Sequence, residues 1–246
     1  MKINTTGIVI RELKTGETDR LVTILTPDMG LVRAFVRGGR SVKSRKQSAT
    51  QLLSYSHLTL FSSRDAFSID EAEPIEVFFE LRKDILRTAL AQYFCQLIEE
   101  TATEGNDSHE ILSLMLNSLY KLSGDRLPVQ QLKAVFEMRL LSLSGFMPDI
   151  VACANCSVYS DEMMYFELDS AKIYCSKCNP HSGTAMLTPG VLAALRHICL
   201  SQADKIFSFR LSATGLRLLS EISEKYLLRQ TGRRYKSLDF YHSILL

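Results

Sequence analysis

The stretch GIVIRELKTGETDRLVTILTPDMGLVRAFVRGGRSVKSRK, Gly7 to Lys46, decides the fold of the N-terminal region. It reads as short strands set apart by turn signals, and within it Leu31 to Arg37 alternates with the period of a strand that has one buried face. Gly7 to Leu13 reads as a first strand, Thr15-Gly16-Glu17 turns it, and Arg20 to Leu25 returns. Pro27-Asp28-Met29-Gly30 is a second turn, feeding Leu31 to Arg37. There Val32, Ala34 and Val36 share one face, and Leu31, Arg33, Phe35 and Arg37 share the other. Gly38-Gly39 then opens a basic, Ser-rich connection.

From Arg33 to Lys46 the cations Arg33, Arg37, Arg40, Lys43, Arg45 and Lys46 meet no Asp or Glu. A strand that carries cations and an aromatic ring outward, followed by a basic loop, suits a polyanion. A solvated strand face with a loop kept soluble by its charge accounts for the same residues. Downstream, Ser56 to Phe61 and Phe67 to Glu73 complete a series of five short strands, ended by Pro74. With the longer connection after the third strand, the series predicts a small barrel of the oligonucleotide/oligosaccharide-binding (OB) type, while an open five-stranded sheet or an SH3-like barrel fits the same pattern.

The rest of the composition is that of an ordinary folded protein: 46% hydrophobic and 23% charged residues in 246. Net charge is only +2, so any electrostatic partner must be held by a local patch. No apolar stretch is long enough to span a bilayer, and MKINTTGIVIRELK has too short an apolar run for a signal peptide. The expectation is a cytoplasmic protein with no membrane partner.

After Glu76 the period changes from two to about 3.6. Leu81, Ile85, Leu86, Ala89, Leu90, Tyr93, Leu97 and Ile98 form one stripe, ended by Gly105-Asn106. Asp107, with Glu110 three positions on, opens a second helix in the manner of a capping box. A third starts near Pro128 and stops at Gly145 and Pro148. Short connections predict antiparallel neighbours in a small bundle. Farther on, Thr188-Pro189 starts another helix, and a last one runs from about Ser212 to Arg229, with Arg233, Arg234 and Lys236 beyond it.

The most specific motif is Cys153-Ala154-Asn155-Cys156, then eighteen residues, then Cys175-Ser176-Lys177-Cys178. Each pair turns two sulfurs toward one point, and two pairs complete a four-thiolate zinc site. Two strands around Asp169-Ser170 would make a zinc ribbon. A complete thiolate set leaves no position for water, so the Zn2+ is expected to be structural. His181 is a possible substitute ligand, and two pairs without a βαβ setting argue against a redox dithiol. Cys95 and Cys199 fall in apolar stripes and read as core thiols. The five histidines form no catalytic constellation, Gly38-Gly39 lacks phosphate-loop spacing, and Asp70, Glu71 and Glu73 make a weak, solvated acidic cluster.

Several of these residues together resemble the bacterial recombination mediator family RecO. The marks are Gly16-Glu17 with Asp19, Thr26, Gly30, the Arg37-Gly38-Gly39-Arg40 turn, Lys43-Ser44-Arg45, Leu52, the four cysteines, and the terminal KYLLRQTGRRYKSLDF with Tyr226-Leu227 and Lys236-Ser237. The resemblance spans essentially the whole chain. It implies an α+β protein: an N-terminal five-stranded OB-type barrel, then a helical bundle domain with an inserted four-cysteine zinc module. The corresponding domains are 1–75 for the barrel, 76–150 and 183–246 for the helical parts, and 151–182 for the zinc module.

The resemblance also implies a non-enzymatic role in DNA repair and homologous recombination. Such a protein binds single- and double-stranded DNA, anneals complementary strands, and with RecR helps load RecA onto DNA coated by the single-stranded-DNA-binding protein. It implies a nucleoid-associated location and a site on the helical part for that protein's acidic C-terminal tail, for which Arg126, Lys133 and Arg139 are candidates by charge. The nucleic-acid contacts would be Arg33, Phe35, Arg37, Arg40, Lys43, Arg45 and Lys46, and the metal ligands Cys153, Cys156, Cys175 and Cys178. An adaptor that recruits an acidic partner tail, with incidental DNA binding, is the alternative.

Overall fold

In the computed structural model the described residues are 1–39, 46–62, 67–124, 126–180 and 182–245. Contacts group the chain into two units: Met1–Gly124 with Lys236–Leu246, and Asp125–Tyr235.

The first unit begins with a closed barrel of five strands, β1 (Lys2–Thr15), β2 (Asp19–Thr26), β3 (Gly30–Val36), β4 (Ser54–Ser62) and β5 (Phe67–Val77), in the order β1-β2-β3-β5-β4. β1 closes the barrel because it is long enough to pair twice. Its second half runs antiparallel to β2 and its first half antiparallel to β4. On the other side β3 and β5 run parallel, and among the described residues Ala34 is registered with Phe67 and Phe35 with Ser68. This order is that of an OB barrel, and it excludes the open sheet. Val9, Val22, Ile24, Val32, Ala34, Val36, Leu58, Leu60 and Ile69 fill the interior.

Two strands run farther than expected. β1 starts at Lys2 rather than Gly7, and β5 continues through Pro74 to Val77. Beyond Ser68 one edge of β5 has no registered strand partner among the described residues, and a free edge tolerates a residue without an N–H.

The helices of this unit are α1 (Ile85–Thr101), α2 (His109–Ser123) and α6 (Lys236–Ile244). Asp84 caps α1, accepting from Leu86 N and Arg87 N at 2.8 and 3.1 Å. α1 packs on α6 and on β1, and the Arg11–Glu99 ion pair at 2.6 Å ties strand to helix. The expected capping box at α2 does not form. Asp107 accepts from His109 N at 2.9 Å, and the cap residue is Ser108. The α1–α2 connection lies across the β2–β3 turn, where Leu31 N donates to Thr103 O at 3.3 Å and Gly105 N to Met29 O at 2.9 Å. That cover buries Leu31, which by alternation shares the outer face with Arg33. Gly30 sits there with φ +61°, and a Cβ on it would lie 2.1 Å from Thr103 O.

The second unit contains α3 (Val129–Leu143), α4 (Pro189–Leu200) and α5 (Ala213–Thr231), with a small sheet of β6 (Met164–Glu167), β7 (Lys172–Cys175) and β8 (Thr184–Leu187) in the order β7-β6-β8. The third helix therefore groups with the later helices, not with α1 and α2 as the short connections suggested. α3 packs against α4 and α5 and is buried on nearly every side, polar positions included. Gln131 spends its amide on Phe207 O and Phe209 O at 3.1 and 3.2 Å. Lys133 lies between Glu137 and Glu224, with Nζ 2.8 and 2.7 Å from their carboxylates but without the alignment of a regular hydrogen bond. Ser223 Oγ donates to Glu137 from the far side at 2.6 Å.

Candidate metal centre and nucleic-acid surface

The two C-x-x-C turns sit beside the β6–β7 hairpin. Cys153 N donates to Val158 O and Ala154 N to Ile173 O, both at 2.9 Å, which fastens the first turn to itself and to β7. Ser157 N closes that turn on Cys153 O at 2.9 Å, with Ser157 left-handed at φ +59°. In the second turn Cys178 N donates to Cys175 O at 3.1 Å. Asp161 accepts from both Ser176 N and Ser176 Oγ, at 3.0 and 2.6 Å, and these bonds hold its carboxyl below the usual range.

The four sulfurs of Cys153, Cys156, Cys175 and Cys178 all lie within 4.8 Å of one another, and Cys156 Sγ is 3.6 Å from Cys175 Sγ. A tetrahedron with metal–sulfur bonds of about 2.3 Å has sulfurs about 3.8 Å apart, so the spacing fits. The electrostatics fit as well. Burial opposes ionisation of Cys153, but backbone N–H groups of Cys156, Cys175 and Asn155 outweigh it and bring the thiol down to about 6. Cys178 is pushed up to about 12, because hydrogen bonds with Cys175 and then Cys156 favour its protonated form. Sulfurs that resist ionising together are what a divalent cation relieves. The group can hold a metal ion. His181 lies outside the described residues.

Arg196 on α4 organises the flank of this site. It donates to Ile150 O, Val151 O and Tyr159 O at 2.8, 2.7 and 2.6 Å, and its guanidinium stacks 3.9 Å above the Tyr159 ring. Cys95 and Cys199 are buried as expected, and burial raises both thiols, Cys199 to about 11.

On the barrel, β3 turns Val32, Ala34 and Val36 inward and exposes Arg33, Phe35 and Arg37. Register gives the neighbours of these residues. Leu13 pairs with Leu21, Leu21 with Phe35, Phe35 with Ser68, Ser68 with Phe61, and Phe61 with Lys2. One turn around the barrel thus returns to β1 eleven positions before it began, and partners in such a row point to the same side. Along this row Leu13, Phe35 and Phe61 are 44%, 37% and 45% exposed, with Ser68 and Lys2 as its polar members. In the adjacent row Arg11, Thr23 and Arg33 lie side by side, Arg11 being engaged by Glu99.

Phe35, Arg37 and Lys46 line one groove of about 820 Å3 together with Lys2, Asp19, Phe61, Phe67, Ser68, Ile69 and Asp70. Lys46 Nζ donates to Ile69 O at 2.9 Å, and Lys2 pairs with Asp70 at 2.7 Å. Arg40, Lys43 and Arg45 lie outside the described residues. The two ends of their connection are anchored. Gly38 N donates to Asp19 at 2.8 Å, and buried Arg20 reaches Glu12, Thr50 and Gln47 O at 3.1, 2.7 and 3.3 Å. Leu13, Phe61 and Lys2 were missed from sequence. Alternation along Ser56 to Phe61 already placed Phe61 on the face of His57 and Thr59, whereas Lys2 required the full length of β1.

Of the three cations considered for an acidic tail, Arg126 is exposed. Lys133 is buried between two carboxylates, and Arg139 caps α4 by donating to Ile198 O, Cys199 O and Ser201 O at 3.5, 3.1 and 3.3 Å. Neither offers its charge to a partner.

A family model described as Recombination protein O N terminal matches residues 1–78, and one described as Recombination protein O C terminal matches residues 82–239. The chain belongs to the RecO family. Relatives named DNA repair protein RecO include that of Acetivibrio thermocellus, 35% identical over 240 residues, 97% of this chain and 95% of the relative. That of Symbiobacterium thermophilum is 32% identical over 242 residues, covering 96% and 95%, and that of Alkaliphilus metalliredigens 30% over 241 residues, covering 97% and 98%. RecO membership places the chain in DNA repair and recombination. No helix among the described residues is long and apolar enough to cross a membrane.

Proposed function

We propose that the chain is a non-enzymatic recombination mediator whose barrel holds DNA by its phosphates. It binds single and double strands, anneals complementary strands, and with RecR helps RecA displace the single-stranded-DNA-binding protein, working at the nucleoid in the cytoplasm. The observation that carries this reading is the outer face of β3, where Arg33, Phe35 and Arg37 stand exposed at alternate positions beside the apolar row from β1 and β2. The strand 2–3 face is where OB barrels take oligonucleotides. Phosphate contacts carry no base information, so binding is sequence-tolerant and salt-dependent. The metal is proposed to be zinc in a structural role, since four thiolates leave no position for a reacting water.

The test is a salt titration of binding to single-stranded oligonucleotides. Each phosphate left without its cation lowers the slope of log affinity against log salt by about 0.7 for single strands, so Arg33→Glu with Arg37→Glu should flatten it by about 1.4. An unchanged slope would overturn the assignment. Competition with an acidic tail peptide separates mediator from adaptor: the reversed protein should lose DNA and keep the peptide.

A further inference from the structure

The groove at the β3–β5 seam differs in kind from the cationic strand face. We propose that it is a base-stacking site which makes the barrel discriminate single strands from duplex, with Phe61 as a specificity-determining residue beside Phe35. The proposal rests on the reading that this barrel binds DNA, and extends it from phosphates to bases.

Three observations carry it. Phe35 and Phe61 are both substantially exposed, 37% and 45%, and neither belongs to the interior cluster of the barrel. They are registered to the same residue, Ser68, from opposite sides, so their Cα atoms lie two strand spacings apart, roughly 10 Å. Ser68 between them is small, which leaves the floor open. The groove carries Arg37, Lys46 and Lys2 against Asp19 and Asp70, with Lys2 paired to Asp70, so cations outnumber carboxylates along its wall. Aromatic faces along a cationic groove are how single strands are held without sequence preference. A duplex keeps its bases stacked on each other and offers the groove only phosphates. Duplex therefore engages Arg33 and Arg37 but not the rings.

The chain contains no tryptophan, so Phe61→Trp installs a sole indole reporter in the groove. Its fluorescence should be quenched on titration with a single-stranded dT oligonucleotide and stay unchanged with a duplex of equal length. In parallel, Phe61→Ala should weaken single-strand binding at least about fivefold, with duplex binding within twofold and the salt slope unaltered. Phe61→Trp should restore single-strand affinity, which separates a lost ring from a damaged barrel. Equal loss on both DNA forms, or no loss on either while Arg37→Glu still weakens both, would overturn the stacking site and leave the phosphate reading standing. If Arg37→Glu and Arg33→Glu also leave binding unchanged, the DNA reading of the barrel itself fails.

Discussion

Removing the lysine buried in α3 should cost more stability than any exposed ion pair in the protein. Lys133 is 1% exposed and holds Glu137, fully buried, and Glu224, 21% exposed. Lys133→Met keeps the length and apolar stem of the side chain but leaves two carboxylates facing each other. Breaking a buried pair from one side costs about 3–5 kcal/mol. Glu224 can turn toward solvent, and Glu137 keeps the Ser223 hydroxyl, so the lower end applies, about 3 kcal/mol. At a urea dependence of about 2 kcal/mol per molar, the unfolding midpoint should fall by about 1.5 M. The informative partner is Lys133→Met with Glu137→Leu, which removes both buried charges. An apolar replacement of a buried pair is often neutral, so the double variant should recover most of the loss, a coupling of about 2 kcal/mol. A single-variant loss below about 1 kcal/mol, or a double variant no better than the single, would refute the view that the network is held by mutual neutralisation.

Other expectations follow from the same geometry. Cys175→Ser should lower bound zinc measured by atomic absorption and lower the melting temperature, whereas undiminished zinc would mean the quartet is not the site. Arg196→Ala leaves every sulfur in place but frees three carbonyls beside the first C-x-x-C turn, so zinc should be lost to a chelator about tenfold more readily. Gly30→Ala should destabilise the first unit by about 2 kcal/mol or more in urea, because the left-handed backbone and the Thr103 carbonyl both exclude a methyl group.

The strand half of the fold was legible from its turn signals and from β3 and β4, whose burial alternates, whereas Gly7, Ile8, Val9 and Ile10 of β1 and most of β2 are buried in unbroken runs. Its ends were not. Asn4, Thr5 and Thr6 are polar and partly exposed, so the first half of β1 carries no alternation, and its pairing with β4 is a contact between residues more than fifty positions apart. Pro74 looked like a stop because sequence does not reveal which edge of a strand is free. Among the helices, α6 went unread. It is nine residues long, buries only Leu238 and Tyr241, and is started by Gln96, which accepts from Ser237 N and Oγ across 141 positions. β8 escaped for a similar reason, a four-residue strand defined only by its partner β6. The clustering of the four cysteines was legible because the spacing of the two C-x-x-C turns nearly fixes the geometry. Lys133 and Arg139 show the opposite limit: charge near an apolar stripe reads as a surface, and only packing reveals two cations already spent inside.

The basic connection after β3 gains its meaning from how its ends are held. A free polycationic loop binds phosphates anywhere and contributes little to orientation. Here the chain leaves at Gly38 and Gly39, pinned by Asp19 and by the Gly39 N to Val36 O bond, and returns at Lys46 to Thr50, pinned by the buried guanidinium of Arg20. The groove lies at the β3–β5 seam, lined by Phe35, Phe67 and Ser68 of its registered pairs together with Arg37 and Lys46 beside the anchored ends. On the proposed DNA reading, electrostatic capture by Arg33, Arg37 and the basic connection comes first and stacking on Phe35 and Phe61 second, because charge acts over a longer range than contact.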